Sequence, residues 1–253
     1  MPYHFASGNQ PNGPMRIPTL ATLLGLALWL AVPIPGGAGP AKPVVLVELY
    51  TSQGCSSCPP ADEMLAELAT RDDVLALALH VDYWDYIGWA DSFASPQYTA
   101  RQKAYARMAH SASVYTPQLV IEGTDHVIGF KPMKVADLIA DHRGRLAPLA
   151  IEAETEGDTI RLRCAPRAET SMPAKINVDL VRFTETETVE ILHGENAGRT
   201  ITYANVVTAW ERIGTWDGTG ELDLTAEVAG DGPLALVIQV QGPGEVLAAF
   251  RLR

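Results

Sequence analysis

The sequence predicts an α/β domain followed by an all-β, sandwich-like domain, and three observations carry that expectation. Two continuous apolar runs rich in branched side chains flank an amphipathic segment between residues 44 and 81, the pattern of a βαβ unit. Helical periodicity persists to residue 145 and stops at Pro148, after which short alternating segments separated by Gly, Asp and Pro continue to the C-terminus. The chain has 253 residues, 47% hydrophobic and 19% charged, which suits two globular domains at about 100–150 residues each.

In order, residues 44–50 (VVLVELY) read as a buried strand, and residues 51–58 as a polar turn. Pro59 and Pro60 then stand where a helix begins. Ala61, Met64, Leu65, Leu68 and Ala69 repeat at i, i+3, i+4, i+7 and i+8, one apolar face. Residues 74–81 form a second buried strand, so the unit closes as a parallel pair with a right-handed crossover. An aromatic loop follows (Tyr83, Trp84, Tyr86, Trp89, Phe93), then a helix opened by Ser95-Pro96 with Tyr98, Tyr105, Met108 and Ala109 on its apolar face. Residues 118–122 and 126–130 read as a hairpin, and Pro132 opens a helix in which Val135, Leu138, Ile139 and His142 align. The domain boundaries are therefore 42–147 and 148–253. In the second domain, alternation predicts strands near 149–153, 160–164, 176–180, 222–228, 234–240 and 246–252.

Residues 1–41 are read as a secretory signal. The uncharged run TLATLLGLALWLAV at 19–32 follows Arg16 and precedes small residues, with cleavage expected after Ala38 or Ala41 and Met15 as an alternative start. The run is shorter than the ~20 residues that span a bilayer, so no stable membrane anchor is expected after cleavage. A periplasmic or secreted location follows, where disulfides persist. The 19 Lys and Arg against 30 Asp and Glu, a net charge of −11, exclude a surface built to neutralise phosphates, so nucleic acid is not an expected partner.

Cys55-Ser56-Ser57-Cys58 lies between the first strand and the first helix. Free N–H groups and the helix dipole at that position stabilise a thiolate, and the spacing lets two sulfurs form and open a disulfide. The same spacing fits a permanent structural disulfide or half of a zinc site, although no second C-x-x-C or H-x-x-x-H exists. Cys164 alternates in phase with Ile160 and Leu162 and reads as a buried core thiol. His80 ends an apolar strand and reads as a core histidine, with Asp82 close enough in sequence for a proton relay. Asp82, Trp84, Asp85 and Trp89 follow the carboxyl end of that strand, the edge where α/β proteins bind ligands; a substrate-side wall and an aromatic plug both fit. In the loop 193–199 (HGENAGR), Glu195, Asn196 and Arg199 serve either a connector or a binding loop. Tyr115-Thr116-Pro117 precedes a strand, where a cis proline is tolerated.

The segments VVLVELYTSQGCSSCPPAD, HVDYWDYIGWADSFASPQYTARQKAYA, VYTPQLVIEG and GENAGRTITYANVV occur in that order, and with them the chain resembles the thioredoxin-like family of unknown function DUF1223 across residues 44–253. The resemblance implies a thioredoxin-like first domain, with Cys55 as the exposed attacking thiol, Cys58 as the resolving thiol and Pro117 as a cis proline against the dithiol. Thr116 would face the substrate through its backbone; from their place in the sequence, Gln118, Trp84 and Asp85 are the expected substrate-side residues beside it and Asp82 the expected proton relay. The implied reaction is thiol–disulfide exchange with protein or small-molecule thiols and disulfides, needing no organic cofactor and no metal. The competing expectation is a non-catalytic envelope binding protein or a copper carrier. Ser-Ser between the cysteines, Pro-Pro after them and the helical excursion before Thr116 depart from thioredoxin itself.

Overall fold

The computed structural model describes residues 42–145, 148–168, 170–228, 230 and 232–252. The expected signal at 1–41 lies outside the described residues. Strand β1 (Val45–Thr51), helix α1 (Pro59–Ala69) and strand β2 (Val74–His80) form the anticipated βαβ unit. The two strands are parallel from Val45↔Val74 to Thr51↔His80, so their carboxyl ends finish level, and every residue of both is buried. Ala61, Met64, Leu65 and Leu68 of α1 pack beneath β1 with Val47, Leu49, Ala76 and Ile121. After a 3-10 turn at Asp85–Ile87, helix α2 (Pro96–Met108) starts at Ser95, whose Oγ accepts from Gln97 N at 3.2 Å. Its inner face is narrower than expected: Tyr98 and Tyr105 are buried, but Met108 is exposed. Strands β3 (Gln118–Ile121) and β4 (Asp125–Ile128) form the hairpin, and α3 (Pro132–Arg143) follows.

The remaining strands are β5 (Leu149–Glu156), β6 (Thr159–Pro166), β7 (Ile176–Ile191), β8 (Arg199–Trp216), β9 (Leu222–Glu227), β10 (Leu234–Val240) and β11 (Val246–Arg251). Of these, β5, β6 and β9 pair among themselves, whereas β7, β8, β10 and β11 extend the sheet that β1–β4 begin. The protein is mostly β, with one eight-stranded mixed sheet in the order β11-β10-β7-β8-β2-β1-β3-β4 and a separate three-stranded sheet, β5-β6-β9. The small sheet packs Leu149, Ile160, Leu162 and Cys164 against Ile176, Val178, Leu236 and Phe250 of the large one. The boundary expected at 147/148 therefore crosses a continuous sheet, and the described residues belong to one compact unit.

The continuity has a physical cause. Strand β2 has an unpaired edge, and β8 takes it in parallel at Ala78↔Val206, with Asn205 Nδ2 donating to Ala76 O at 2.8 Å. Asn205 adopts φ 47°, a left-handed conformation that Asn tolerates, and it breaks the alternation of β8. Further in, Glu48 of β1 is fully buried and accepts hydrogen bonds from Arg101 Nε (2.7 Å), Arg101 Nη2 (2.9 Å), Tyr105 Oη (2.6 Å) and Tyr50 Oη (2.9 Å). The Arg101 guanidinium lies 3.7 Å from the Trp210 ring centroid of β8 and donates to Gln239 of β10. This paired charge fastens α2 across the join between the two halves of the sheet.

Candidate functional site

At the carboxyl ends of β1 and β2, residues 52–58 turn back into α1, and Cys55 and Cys58 are joined as a disulfide with a Cα–Cα separation of 5.4 Å. Cys55 N–H donates to Ser52 O at 3.1 Å and Cys58 N–H to Cys55 O at 3.2 Å, which closes the turn. Cys58 is the N-cap, and Pro59 and Pro60 follow it. Two expectations are corrected here. Cys55 is 1% exposed and Cys58 0%, so neither sulfur is an exposed thiol, while Ser56 and Ser57 between them face solvent. The helix start also offers few free donors: the prolines carry no N–H, and those of Ala61 and Asp62 are taken by Cys58 O. The polar neighbour of the Cys55 sulfur is the Ser57 hydroxyl at 3.4 Å, which donates because a disulfide sulfur has no proton.

A distant segment is bonded to this turn. The loop between β7 and β8 folds over the dithiol turn. Asn196, itself 2% exposed, donates through Nδ2 to Gln53 O at 2.9 Å and Cys55 O at 3.0 Å. Arg199 Nη1 donates to Asn196 Oδ1 at 3.2 Å, which fixes the amide's orientation. Glu195 Oε2 accepts from Ser56 N at 3.3 Å. Gly194 sits at φ 79° against Trp89, where a Cβ would lie 3.3 Å from the Trp89 Cβ. Loop 193–199 thus contacts Gln53, Cys55 and Ser56 in the turn.

The aromatic loop and the Thr116–Pro117 segment form another wall. The Thr116–Pro117 bond is cis, as the sequence predicts. Trp84 links this segment to the dithiol turn: its Nε1 donates to Thr116 Oγ1 at 2.7 Å, and its Cβ lies against Gly54, where any added Cβ would come within 3.3 Å. Trp84 is half-buried, and Tyr86, stacked on it at 6.4 Å between centroids, is 82% exposed.

The remaining expected site residues serve the scaffold. Asp85 Oδ1 accepts from Asp91 N at 3.1 Å and shapes the loop. Gln118 is buried, its Oε1 accepting from Gln102 Nε2 at 2.8 Å and its Nε2 lying 3.2 Å from His126 Nδ1, so its side chain is committed inside the protein. Asp82 is tied to α2: Thr99 Oγ1 donates to its Oδ1 at 2.6 Å, and its own N–H donates to Thr99 Oγ1 at 3.2 Å.

The titratable cluster beneath the turn is instead Asp62, His80, Asp91 and Tyr203. His80 Nδ1 and Asp91 Oδ2 are 2.8 Å apart with both side chains fully buried, and Gln53 N donates to the same Oδ2 at 2.7 Å. Thr51 Oγ1 donates to Asp62 Oδ1 at 2.7 Å. The Tyr203 ring meets His80 edge-on at 4.9 Å. Among the described residues, Asp62 Oδ2, His80 Nε2 and Tyr203 Oη are buried without a hydrogen-bond partner. Burial pushes the Asp62 carboxyl up to about 7, against the opposing pull of His80 and the Thr51 hydroxyl, and burial also raises the Tyr203 phenol, with the charges of Asp62 and Asp91 adding to it. Asp62 was legible in principle as an acidic residue between Ala61 and Leu65 on the apolar face of α1. Asp91 and Gln53 lie in loops and carry no such signal.

Cys164 is the free cysteine and is buried, as expected, with its thiol pushed up to about 11 chiefly by burial. No group of three or more His, Cys, Asp or Glu among the described residues is arranged to hold a metal ion, and no described helix is long and apolar enough to cross a membrane.

Fold and site together define a mostly β protein whose mixed sheet presents an enclosed C-x-x-C disulfide at a strand-to-helix turn. The chain belongs to the family of proteins of unknown function DUF1223, whose model matches residues 46–241. It is similar to the crystal structure of a structural-genomics target from Agrobacterium tumefaciens, with 32% identity and a TM-score of 0.70 over 83% of this chain and 95% of that one. Its fold is also similar to HBP35 of Porphyromonas gingivalis, at 12% identity and a TM-score of 0.59 over 85% of this chain and 76% of the other. No curated protein matches the chain.

Proposed function

We propose that this protein is an exported thiol–disulfide oxidoreductase built on a thioredoxin-like scaffold. The observation that carries the reading is the Cys55–Cys58 disulfide at the strand-to-helix turn, lying above a buried carboxyl that retains its proton up to about pH 7. In the reducing direction, the 193–199 loop lifts off the turn and an external thiolate attacks Cys55 Sγ; the S–S bond breaks and Cys58 leaves as a thiolate. A thiolate at a fully buried sulfur is strongly disfavoured, so the step needs an internal proton. Asp62, one helical turn beyond Cys58, is the candidate donor. A second external thiol then attacks the mixed disulfide and leaves both cysteines reduced; the oxidising direction runs the same steps backwards.

Trp84, Thr116 and the exposed Tyr86 form the rim at which a protein or small-molecule thiol or disulfide approaches. Export as a periplasmic or secreted protein, with residues 1–41 removed, supplies the compartment in which such a couple works. The test is Cys58→Ala expressed with its leader: partners accumulate as mixed disulfides on Cys55 and are released by reductant. Absence of any such adduct, together with no catalysed exchange between glutathione and a model disulfide by the wild type, would overturn the proposal.

A further inference from the structure

The loop that encloses the disulfide brings a charge with it. Asn196 fixes the loop to the carbonyls on either side of Gly54, and that contact sets Glu195 Oε2 at 3.3 Å from Ser56 N, the backbone N–H that follows Cys55. A thiolate at Cys55 would seek N–H donors nearby. The first two helical positions offer none, because both are proline, and the Ser56 N–H is already held by a carboxylate. The cover therefore occupies the N–H that follows Cys55 and brings a negative charge to that peptide.

We propose that Glu195 is a positioning residue that biases the Cys55–Cys58 couple toward the disulfide, so that the C-terminal half of the chain sets the redox preference of cysteines in the N-terminal half. The inference rests on the exchange reading for its use in the cell, but the equilibrium it concerns does not depend on catalytic turnover. In that equilibrium, two glutathione thiols lose two electrons and two protons and join as glutathione disulfide. The protein S–S bond breaks and takes up the electrons, and each cysteine carries a proton except where Cys55 ionises. Asp62, His80, Asp91 and Tyr203 beneath the turn, Asp85 on the aromatic loop, and His193 and Arg199 within the cover also face this region. They are the same in every variant compared, so a difference between variants isolates Glu195.

The experiment uses the full exported chain as wild type, Glu195→Gln, Glu195→Asp and Glu227→Gln, the last removing an equal charge from the exposed face of β9. Two readouts are taken: the pH dependence of Cys55 alkylation in the reduced protein, and the fraction reduced in glutathione buffers on the alkaline side of that profile. Removing one exposed charge next to the thiolate is expected to shift both by about two- to fivefold. Glu195→Gln should ionise at lower pH and lie further toward the dithiol; Glu195→Asp, which keeps the charge but draws it back, should fall between Glu195→Gln and the wild type, and Glu227→Gln should follow the wild type. Added salt should move the wild type in the direction of Glu195→Gln, a measurement that needs no variant to fold. Unchanged profiles in Glu195→Gln, or an equal shift in Glu227→Gln, would overturn the role of Glu195. Loss of the proposed exchange activity in the wild type overturns the proposed function alone, because both readouts remain measurable.

Discussion

Replacing Asp62 by Asn should change how stability depends on pH, with a sign and size that follow from its burial. The carboxyl is pushed from 3.8 up to about 7 in the folded protein. Between those values the folded chain holds a proton that the unfolded chain has released, so unfolding releases a proton and folding stability falls as pH rises. Above about pH 7 both states are ionised and the penalty is constant. Roughly three units at ~1.4 kcal/mol each amount to a penalty on the order of 4 kcal/mol at pH 8 that is absent near pH 4. Asn carries no charge, retains an oxygen to accept from Thr51, and puts a donor where Asp62 Oδ2 has no partner among the described residues. Asp62→Asn should therefore match the wild type near pH 4 and exceed it by several kcal/mol at pH 8. Urea unfolding of both proteins across that range, with the disulfide intact, measures the difference directly. Subtracting one profile from the other removes the contribution of Glu122, whose carboxyl burial also pushes up to about 7. A difference that stays flat with pH would refute the reasoning.

Asn196→Ala leaves the carbonyls of Gln53 and Cys55 without the donor they share, which should cost about 2–4 kcal/mol and lower the Tm by ~5–15 °C; a loss under ~0.5 kcal/mol would mean that the loop does not hold the turn. Arg101→Ala strips the guanidinium from the fully buried Glu48 and should cost about 3–5 kcal/mol in denaturant unfolding at neutral pH, since an uncompensated carboxylate remains inside. A loss near that of an exposed ion pair, under ~1 kcal/mol, would contradict the fastening role assigned to it.

The first half of the fold was legible because its elements obey one period each. The apolar face of α1, the Ser95-Pro96 start of α2 and the run before His80 all appear where the pattern puts them. The long hairpin was not. The outer part of β7 reads TETETVEI, a polar alternation indistinguishable from a solvated loop, and β8 changes phase at Asn205. Register shifts at Val178/Asp179 and Arg182/Phe183 disturb the pairing further. The same blindness extends to the site. Cys55, Cys58, Trp84 and Thr116 were visible as a local motif and a neighbouring aromatic loop, but Asn196 reaches Cys55 from 141 positions away, and nothing in either segment announces the other. Asp82 stands nearer His80 in sequence and draws the eye as a relay, whereas helix α1 brings Asp62 beneath the turn through space.

That separation also orders events in time. Glu195 follows Ser56 by 139 residues, an interval of about 7–28 s at ordinary rates of chain elongation. Throughout it the two cysteines exist without their cover, whatever the nascent segment around them has folded into. The hairpin can reach the turn only once that interval has passed. A molecule truncated before the hairpin would thus carry the same two sulfurs permanently in their nascent, unguarded state, and its reactivity would report on an early stage of the protein's life rather than on the finished one.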